Sequence, residues 1–572
     1  MKKLYILFKM DPLYDNLNTL LNNELETIHD YSPMEDYLDI SMSSSIRNYV
    51  DITSPSEFVV EDQDNNIRKA FVKYITLVDY VKYLVGKYKD QNTEVLPCKK
   101  EEYDGTFEKN ISQHYNYAYV DTMFYYASSQ LMKKFPNFVN GIQCFDTFIA
   151  MKQDCRVNIA DDFEYLSDST FMIDNMNKKF VFEHSEINNL IMDTRKDKIS
   201  IEEDVFVEIE ELDLGSDEEG EKEEEEDDSD DQIELSYEDK TATTEKTTST
   251  TDSDDSDLVF SDDEADASKS VDQNDDEMEE ERDEAEAEEE DEMTFEEEEE
   301  DSDSLSIESD DTDIDELYLI FKKFPVQVAV IEKCENTLDK LLEVNDKKVI
   351  HETLQSAIAQ TIITLYIYQN MYDFTHNDLH TNNIMYVNTE KEYLYYKIMG
   401  RMYKIPTYGK IYKIIDFGRA LYKINGKIVE NDSFSSNGTA FTQYNYGSFK
   451  DENKMNIEPN KSFDLTRLSC SLYDFICEDV SSHEKAMKTP LYNMILNWVH
   501  DDHGKNVLYR ADTGEERYPG FKLYKMIARH VHNHTPENQF QHEFWKSLQI
   551  NSTDAIDGLC DVDEMIQKGI QI

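Results

Sequence analysis

A block of extreme negative charge divides this chain and limits which parts of it can fold. Residues 201–316 carry 59 acidic and 5 basic side chains, a net charge of −54. Apolar side chains are too sparse there to offset the conformational entropy that folding removes, so the sequence predicts a disordered segment. The other 456 residues carry a net charge of only −14. They are numerous enough for domain-sized hydrophobic cores, which we expect on both sides of the block.

The block itself admits three interpretations. It can be a solvated spacer that self-repulsion keeps extended. Ser216 and Ser261, each followed by three acidic residues, can be acid-directed phosphorylation sites. The negative charge can also attract a basic protein partner, such as a histone or an Arg-rich tail.

Composition excludes several classes of protein. A net charge of −68 disfavours contact with nucleic-acid phosphates, so we expect no nucleic-acid partner. Seven cysteines without a Cys-x-x-Cys pair predict neither a disulfide framework nor a four-ligand zinc site. The basic and apolar start is too short for a signal peptide, and no apolar window is long enough to span a bilayer. We therefore expect a soluble intracellular protein without a membrane partner.

The sequence after the block has the apolar spacing of strands and helices. Residues 326–331 read VQVAVI, a β-branched run that predicts a buried strand. Residues 336–342 then change to helical spacing, and apolar side chains three or four apart from His351 to Tyr372 predict a long helix.

Two short motifs follow this helix and contain the candidate catalytic and metal-binding residues. Residues 376–385 read HNDLHTNNIM, and residues 414–418 read IIDFG. Phosphoryl transfer needs a carboxylate that orients the attacking hydroxyl and oxygen ligands that hold Mg²⁺ on the nucleotide phosphates. Asp378 can be that base, and Asn383 and Asp416 can be those ligands. Mg²⁺ suits so small a protein set because water and phosphate oxygens complete its coordination.

The order of these motifs resembles the protein-kinase superfamily: a helix, His-x-Asp-Leu-x-x-x-Asn, a strand, then Asp-Phe-Gly. The wording of residues 375–385, THNDLHTNNIM, is similar to the kinase-like proteins of giant DNA viruses. The resemblance implies an α+β, two-lobed kinase-like fold with the acidic block inserted in its N-lobe, and it implies ATP and Mg²⁺ as ligands. For a viral protein it implies the host cytoplasm or the virion as location.

The resemblance extends to residues outside the two motifs. Lys73, on a strand at residues 69–75, resembles the lysine that holds the α and β phosphates; the alternative is an exposed lysine without this role. Glu332 and Cys334 resemble the hinge whose backbone binds adenine, where the alternative is a plain strand end. Asp464 resembles the buried aspartate that anchors the catalytic loop.

The resemblance also sets domain boundaries. They are an N-terminal extension at 1–40, the first part of the N-lobe at 41–200, the disordered insertion at 201–316, the end of the N-lobe with the hinge and first C-lobe helix at 317–350, the C-lobe at 351–550, and a C-terminal tail at 551–572.

Two departures from the family pattern affect nucleotide binding. No Gly-x-Gly-x-x-Gly precedes Lys73, and the only run of small residues is at 41–45. The helix expected from about Gln113 to Lys134 carries Asp121 where the family has a glutamate that pairs with the lysine. Either this helix lies closer to the lysine, or the ion pair is absent and Asp121 is solvated.

Three further departures affect regulation and the acceptor. Asn377 replaces the usual arginine, which disfavours control through a phosphorylated activation loop. His380 stands where Ser/Thr kinases have a lysine, and Ala-Pro-Glu is missing. The sequence thus predicts a divergent Ser/Thr protein kinase with a protein substrate. Its rivals are a small-molecule kinase on the same fold and a catalytically weak pseudokinase scaffold.

Overall fold

The computed structural model describes residues 12–183 and 317–572, except 104, 161, 168, 437, 439, 451, 478–482, 511–513 and 552–555. The expected disordered insertion at 201–316, with Ser216 and Ser261, lies outside the described residues. The described chain combines helices with antiparallel sheet, which confirms the α+β class.

The largest sheet has seven strands in the order β1-β5-β7-β4-β3-β2, and β6 also pairs with β7. Every neighbouring pair is antiparallel. The strands are β1 Leu25–His29, β2 Ile46–Ser54, β3 Glu57–Asp62, β4 Ile67–Thr76, β5 Cys144–Asn158, β6 Phe180–Phe182 and β7 Tyr318–Glu332. The expected extension at 1–40 thus contributes an edge strand, β1.

Burial explains the residue pattern of β7, which leads to the expected hinge, and of β4, which carries Lys73. Strand β7 lies between β5 and β4, and its residues 324–331 are all buried, as a continuous apolar run requires. The strand is longer at both ends than the expected 326–331. Strand β4 alternates: Ala70 and Val72 are buried, whereas Lys73 is partly exposed because successive side chains point to opposite faces.

Helices accompany this sheet, and the helix Tyr117–Lys134 is nearly all buried. They are α1 Pro12–Leu20, α2 Pro33–Leu38, α3 Tyr80–Leu84, α4 Thr106–Ile111, α5 Tyr117–Lys134, α6 Phe163–Ser167 and α7 Thr170–Asn175. The helix expected from about Gln113 begins at Tyr117 because Asn116 caps it: the Asn116 side chain accepts the Ala118 N–H at 3.0 Å.

After β7 the chain is mainly helical. The helices are α8 Leu338–Leu342, α9 Lys347–Tyr372, α10 Phe463–Ile476, α11 His483–Ala486, α12 Pro490–Asn497, α13 Phe521–His530, α14 Pro536–Gln539, α15 Glu543–Lys546 and α16 Val562–Lys568. The long helix α9 begins four residues before the expected His351. The Asp346 side chain accepts the N–H groups of Lys348 and Val349 and so starts the helix earlier.

Small sheets complete this part. Strand β8 pairs with β11, β12 pairs with β13, and a third sheet has the order β14-β10-β9-β15. The strands are β8 Ile384–Asn388, β9 Tyr393–Ile398, β10 Arg401–Pro406, β11 Lys410–Ile414, β12 Tyr422–Ile424, β13 Lys427–Val429, β14 Gln549–Ile550 and β15 Cys560–Asp561. Strands β9 and β11 belong to different sheets, and the tail at 551–572 contributes β15 and α16.

One hydrophobic core connects the large sheet with α5 and α9. Val72, Phe124 and Tyr368 belong to it, and the Ser128 and Tyr368 hydroxyls share a buried hydrogen bond of 2.8 Å between the two helices. Within the described ranges, no helix combines the length and the apolar character that crossing a membrane requires.

Candidate active site

Lys73 is held between two carboxylates that come from distant parts of the chain. Its Nζ lies 2.8 Å from an oxygen of Asp121 on α5 and 2.8 Å from an oxygen of Asp416, which follows β11. Burial lowers the pKa of Lys73, but the two carboxylates together raise it well above the ordinary lysine value. The ammonium group therefore stays charged.

Asp121 forms the ion pair whose existence the sequence left open. Its Oδ2 accepts from Lys73, and its Oδ1 accepts the backbone N–H of Phe417 at 2.6 Å. The side chain is fully buried, and burial raises its pKa, an effect that Lys73 opposes. Asp121 thus ties helix α5 to strand β4 and to the Asp-Phe-Gly segment at once.

Hydrogen bonds to Asp464 of α10 anchor the loop that carries Asp378. The buried Asp464 carboxylate accepts the N–H of His376 at 2.9 Å and that of Asn377 at 3.0 Å. His376 is also buried: its Nε2 lies 2.9 Å from the Ile415 carbonyl, and its Nδ1 accepts the Asp378 N–H at 3.3 Å. The backbone that presents Asp378 is therefore held at both ends of one short turn.

The β8–β11 pair explains how Asn383 and Asp416 come together. Ile384 of β8 pairs with Ile414 of β11, and the Ile415 N–H donates to the Asn383 carbonyl at 3.0 Å. Asn383, just before β8, and Asp416, just after β11, therefore lie at the same end of this hairpin. Two residues 33 positions apart in the sequence become neighbours.

Asp416 is held in an unusual backbone conformation. Its φ is +63°, a left-handed value that costs a non-glycine residue about 1–3 kcal/mol and persists where the surroundings enforce it. Its N–H donates to the Tyr125 hydroxyl at 3.0 Å, and the next residue, Phe417, is buried against Phe124 and Phe374. The Asp416 side chain stays half exposed, and Lys73 lowers its pKa.

The amide of Asn383 is oriented by the loop around it. Its Nδ2 donates to the Asp378 carbonyl at 2.9 Å and lies 3.1 Å from His380 Nε2. Burial lowers the pKa of His380, so this imidazole is neutral and acts as the acceptor. With both N–H bonds engaged in the loop, the Asn383 Oδ1 is the atom left for a cation.

The expected hinge residues lie at the end of β7. The Glu332 N–H donates to the Gln143 carbonyl at 2.8 Å, so an adenine contact from Glu332 would use its carbonyl. The Cys334 N–H donates to no backbone carbonyl of the described residues. The Glu332 side chain pairs with the buried Lys413 at 2.9 Å, a contact that sequence reasoning missed.

Two other features were also missed. The small-residue run at 41–45 precedes β2. Pro55 and Ser56 form a two-residue turn between β2 and β3, and residues 63–66 connect β3 to β4, which carries Lys73. In addition, the Tyr524 hydroxyl of α13 donates to Asp378 Oδ1 at 2.7 Å and accepts from Arg467 Nε at 3.0 Å. No local motif could have indicated Tyr524, which lies 146 residues from Asp378.

The substitution at Asn377 has a local structural explanation. The Asn377 Nδ2 donates to the Arg419 carbonyl at 3.0 Å, and its Oδ1 accepts from the Tyr444 hydroxyl at 3.0 Å. Neutral hydrogen bonds of Asn377 thus hold the segment after Asp-Phe-Gly, at the position where the resemblance to kinases predicts an arginine.

The donor set fits Mg²⁺ and a polyphosphate. Asn383 and Asp416 offer two oxygen ligands, and Lys73 offers a fixed positive charge beside them. No cluster of three or more His, Cys, Asp or Glu side chains suited to a metal occurs in the part of the chain that the structure describes. A two-ligand site is the kind that Mg²⁺ uses when phosphate oxygens and water supply its other ligands.

Comparison with known proteins leaves the family open: no protein-family model matches the sequence, and no curated protein matches it significantly. The roles of the residues above therefore rest on their geometry and chemistry.

Proposed function

We propose that this chain is a phosphotransferase with a two-lobed protein-kinase fold that transfers the γ-phosphoryl group of ATP to a Ser or Thr hydroxyl of a protein. One observation carries the proposal. Lys73 lies 2.8 Å from both Asp121 and Asp416, and Asp416 stands beside the loop that bears Asp378 and Asn383. Residues from four separate segments converge on the set of groups that phosphoryl transfer requires.

The architecture supports the fold in this proposal. An antiparallel sheet carries Lys73, one buried helix beside it carries Asp121, and the chain passes from β7 through residues 333–337 into the helical part. Glu332, the last residue of β7, and Cys334, inside that passage, form the expected hinge, and Lys413 supports it. The buried Lys413 ammonium donates to the carbonyls of Val139 and Gly141 and pairs with Glu332.

Each side chain then has a defined task. Lys73 binds the α and β phosphates, and Asp121 holds Lys73 in place. Asn383 and Asp416 would hold Mg²⁺, which neutralises charge on the phosphates when bound. Asp378 orients the acceptor hydroxyl and accepts its proton as the oxygen attacks phosphorus. Because His380 is neutral, it can donate at most one hydrogen bond to the transferred group and adds no charge.

A thermal-shift titration with Mg·ATP and a radiolabel-transfer assay test this function. We expect Mg·ATP to raise the unfolding temperature by linkage and label to reach a mixture of protein acceptors. Asp378→Asn should keep the thermal shift and lose the transfer, whereas Asp416→Asn should lose both. Asp474→Asn, at an exposed carboxylate on α10, is the matched control. Transfer that survives Asp378→Asn, or no shift at millimolar Mg·ATP, would contradict the proposal, and the latter would favour a scaffold.

A small-molecule acceptor is the second candidate, and one feature favours it. A cavity of about 550 Å³ lies beside Asp378, and its lining includes His380, Arg419, Arg467 and Glu516. A volume in this range suits a small ligand. Screening sugars, aminoglycosides and choline for acceptor-dependent ATP consumption separates this candidate from the protein kinase.

A further inference from the structure

The most informative contact outside the nucleotide groups is the one between Tyr524 and Asp378. The Tyr524 hydroxyl lies 2.7 Å from Asp378 Oδ1. A general base must lie within about 2.6–3.2 Å of the oxygen it deprotonates. If Asp378 is the base, as the proposed function requires, the Tyr524 hydroxyl stands where an acceptor hydroxyl has to stand.

The groups around this hydroxyl suit a phosphate as well as a phenol. Arg467 Nε donates to the Tyr524 oxygen at 3.0 Å, and the guanidinium carbons of Arg467 and Arg419 lie 5.2 Å and 5.6 Å from the centre of the tyrosine ring. Within the described ranges neither arginine pairs with a carboxylate. Arginines bind phosphate through two parallel hydrogen bonds, so both are available to a phosphorylated tyrosine.

There is also space for the product. The cavity of about 550 Å³ beside Asp378 is lined by Tyr524, by both arginines and by Gly520. The Tyr524 side chain is partly exposed, and Gly520 just before its helix has a φ of +57°. A phosphate carried by Tyr524 can therefore lie in the cavity instead of against the Asp378 carboxylate.

We propose that Tyr524 is a phosphoryl acceptor of this same chain, modified in cis. The inference rests on the proposed function and extends its acceptors from Ser and Thr hydroxyls to one tyrosine hydroxyl that the fold holds against the base. The Tyr524 oxygen forms a bond to the γ-phosphorus of ATP, and the bond from that phosphorus to the β,γ-bridging oxygen breaks. ADP leaves with the electron pair of that bond, and Asp378 takes the phenolic proton and releases it to water.

Phosphorylation of Tyr524 changes the surroundings of Asp378, the base that carries it out. A phosphotyrosine carries a charge of about −1.5 to −2 near neutral pH, which Asp378 repels and the two arginines attract. The side chain then leaves the carboxylate, and the acceptor position opens. Phosphorylated chain should consequently transfer phosphoryl groups to other acceptors faster than unphosphorylated chain.

Site mapping on the full wild-type chain tests the proposal directly, and two tyrosine variants check the assignment. The protein is incubated with Mg²⁺ and γ-labelled ATP, and the labelled residues are identified by mass spectrometry. We expect label on Tyr524, with a first-order rate constant that does not depend on protein concentration. Tyr524→Phe should remove this label. Tyr509→Phe, which removes a tyrosine hydroxyl that donates to Asp474 at 3.1 Å, is the matched control and should retain it.

A mixing experiment isolates the intramolecular step. A tagged Asp378→Asn chain, with Tyr524 intact, is incubated with wild-type chain and should stay unlabelled at Tyr524. Label on the tagged chain would overturn modification in cis. Transfer to other acceptors with Tyr524 unmodified would overturn this inference alone. Tyr524 would then only block the acceptor position at Asp378. No transfer to any acceptor, together with no stabilisation by Mg·ATP, would overturn this inference and the proposed function together.

Discussion

At the scale of single residues, the site depends on a carboxylate that is one methylene shorter than a glutamate. The Asp121 side chain is fully buried and serves Lys73 and the Phe417 N–H with its two oxygens. A shorter side chain can do this only where the helix approaches the sheet closely. Asp121 therefore links the position of helix α5 to the charge of Lys73.

Asp121→Asn should weaken phosphoryl transfer while preserving the fold. The amide can still accept from Phe417, but it removes one charge-assisted hydrogen bond, worth about 1.5–3 kcal/mol, from Lys73. We expect transfer to fall by at least about tenfold, which corresponds to about 1.4 kcal/mol. Asp146→Asn, at another buried aspartate that does not contact Lys73, is the control. Equal rates in both variants would contradict the role of Asp121.

Because burial raises the pKa of Asp121, the ion pair should be sensitive to acid. Protonation of Asp121 removes its charge, so transfer should decline on acidification at a pH above the ordinary carboxyl range. The acidic limb of the pH–rate profile should be missing or displaced in Asp121→Asn. A limb that the variant shares with the wild type would assign the titration to another group.

Asp464→Ala should lower stability and abolish transfer together. Two buried N–H groups, of His376 and Asn377, lose their acceptor, and each unsatisfied group costs about 1–3 kcal/mol. Chemical denaturation should show a loss of a few kcal/mol. Asp464→Asn keeps one acceptor oxygen and should lose less than Asp464→Ala. An Ala variant as stable as the wild type would show that the loop is held by other contacts.

At the scale of elements, the sequence predicted the parts whose signals are local. The strand at 69–75, the helix that ends at Tyr372 and the strand that precedes Asp416 all follow from periodicity and motif order. The contacts between elements were harder to predict. Lys73 meets Asp121 across 48 residues and Asp378 meets Tyr524 across 146, and such pairings depend on tertiary packing that no local pattern encodes.

Asn116 joins two of these elements, and its removal should loosen the nucleotide groups. It caps α5 by accepting the Ala118 N–H, and its Nδ2 donates at 2.8 Å to the carbonyl of Leu77, next to the end of β4. Asn116→Ala should cost about 0.5–2 kcal/mol for the cap and leave a buried carbonyl unpaired. We expect lower stability in urea and a smaller thermal shift with Mg·ATP.

The variant Asn116→Ser separates the two effects of this change. Serine keeps an oxygen that caps the helix but is too short to donate to Leu77. It should restore the part of the stability in urea that the cap provides but only part of the Mg·ATP shift. If Asn116→Ala lowers stability with an unchanged nucleotide response, the link between α5 and β4 does not position Lys73.

At the scale of the whole molecule, burial shifts the pKa of aspartates and of histidines in opposite directions. It raises the pKa of Asp146 and Asp432 to about 6 and that of Asp464 to about 7. It lowers the pKa of several histidines, His376 and His380 among them. The raised aspartates make stability fall as pH rises from about 4 to 7. The lowered histidines make stability fall as pH decreases below about 6.5, so the two sets partly cancel.

A single variant separates these contributions. The pKa of Asp146 is about 6 in the folded chain against 3.8 for an ordinary carboxyl, because burial outweighs the hydrogen bonds from Tyr49 and the Thr147 N–H. A raised folded pKa means that the folded state holds the proton more tightly. The wild type thus loses up to about 3 kcal/mol as pH rises from about 4 through 6. Asp146→Asn lacks this titration, so its stability relative to wild type should improve over that window and level off above it.

Asp561 provides the opposite case. Partial burial raises the pKa of Asp561, but the hydrogen bond and charge of Lys397, at 2.9 Å, and the backbone N–H groups of Glu564 and Asp563 together outweigh burial and lower the pKa below 3.8. The stability that Asp561 contributes is present above that pH and is lost as pH falls further. Asp561→Asn should therefore differ from wild type by a constant amount between pH 4 and 7. Urea denaturation of the three proteins at several pH values measures both differences, and a flat difference for Asp146→Asn would show that Asp146 is already ionised at pH 4 in the folded chain.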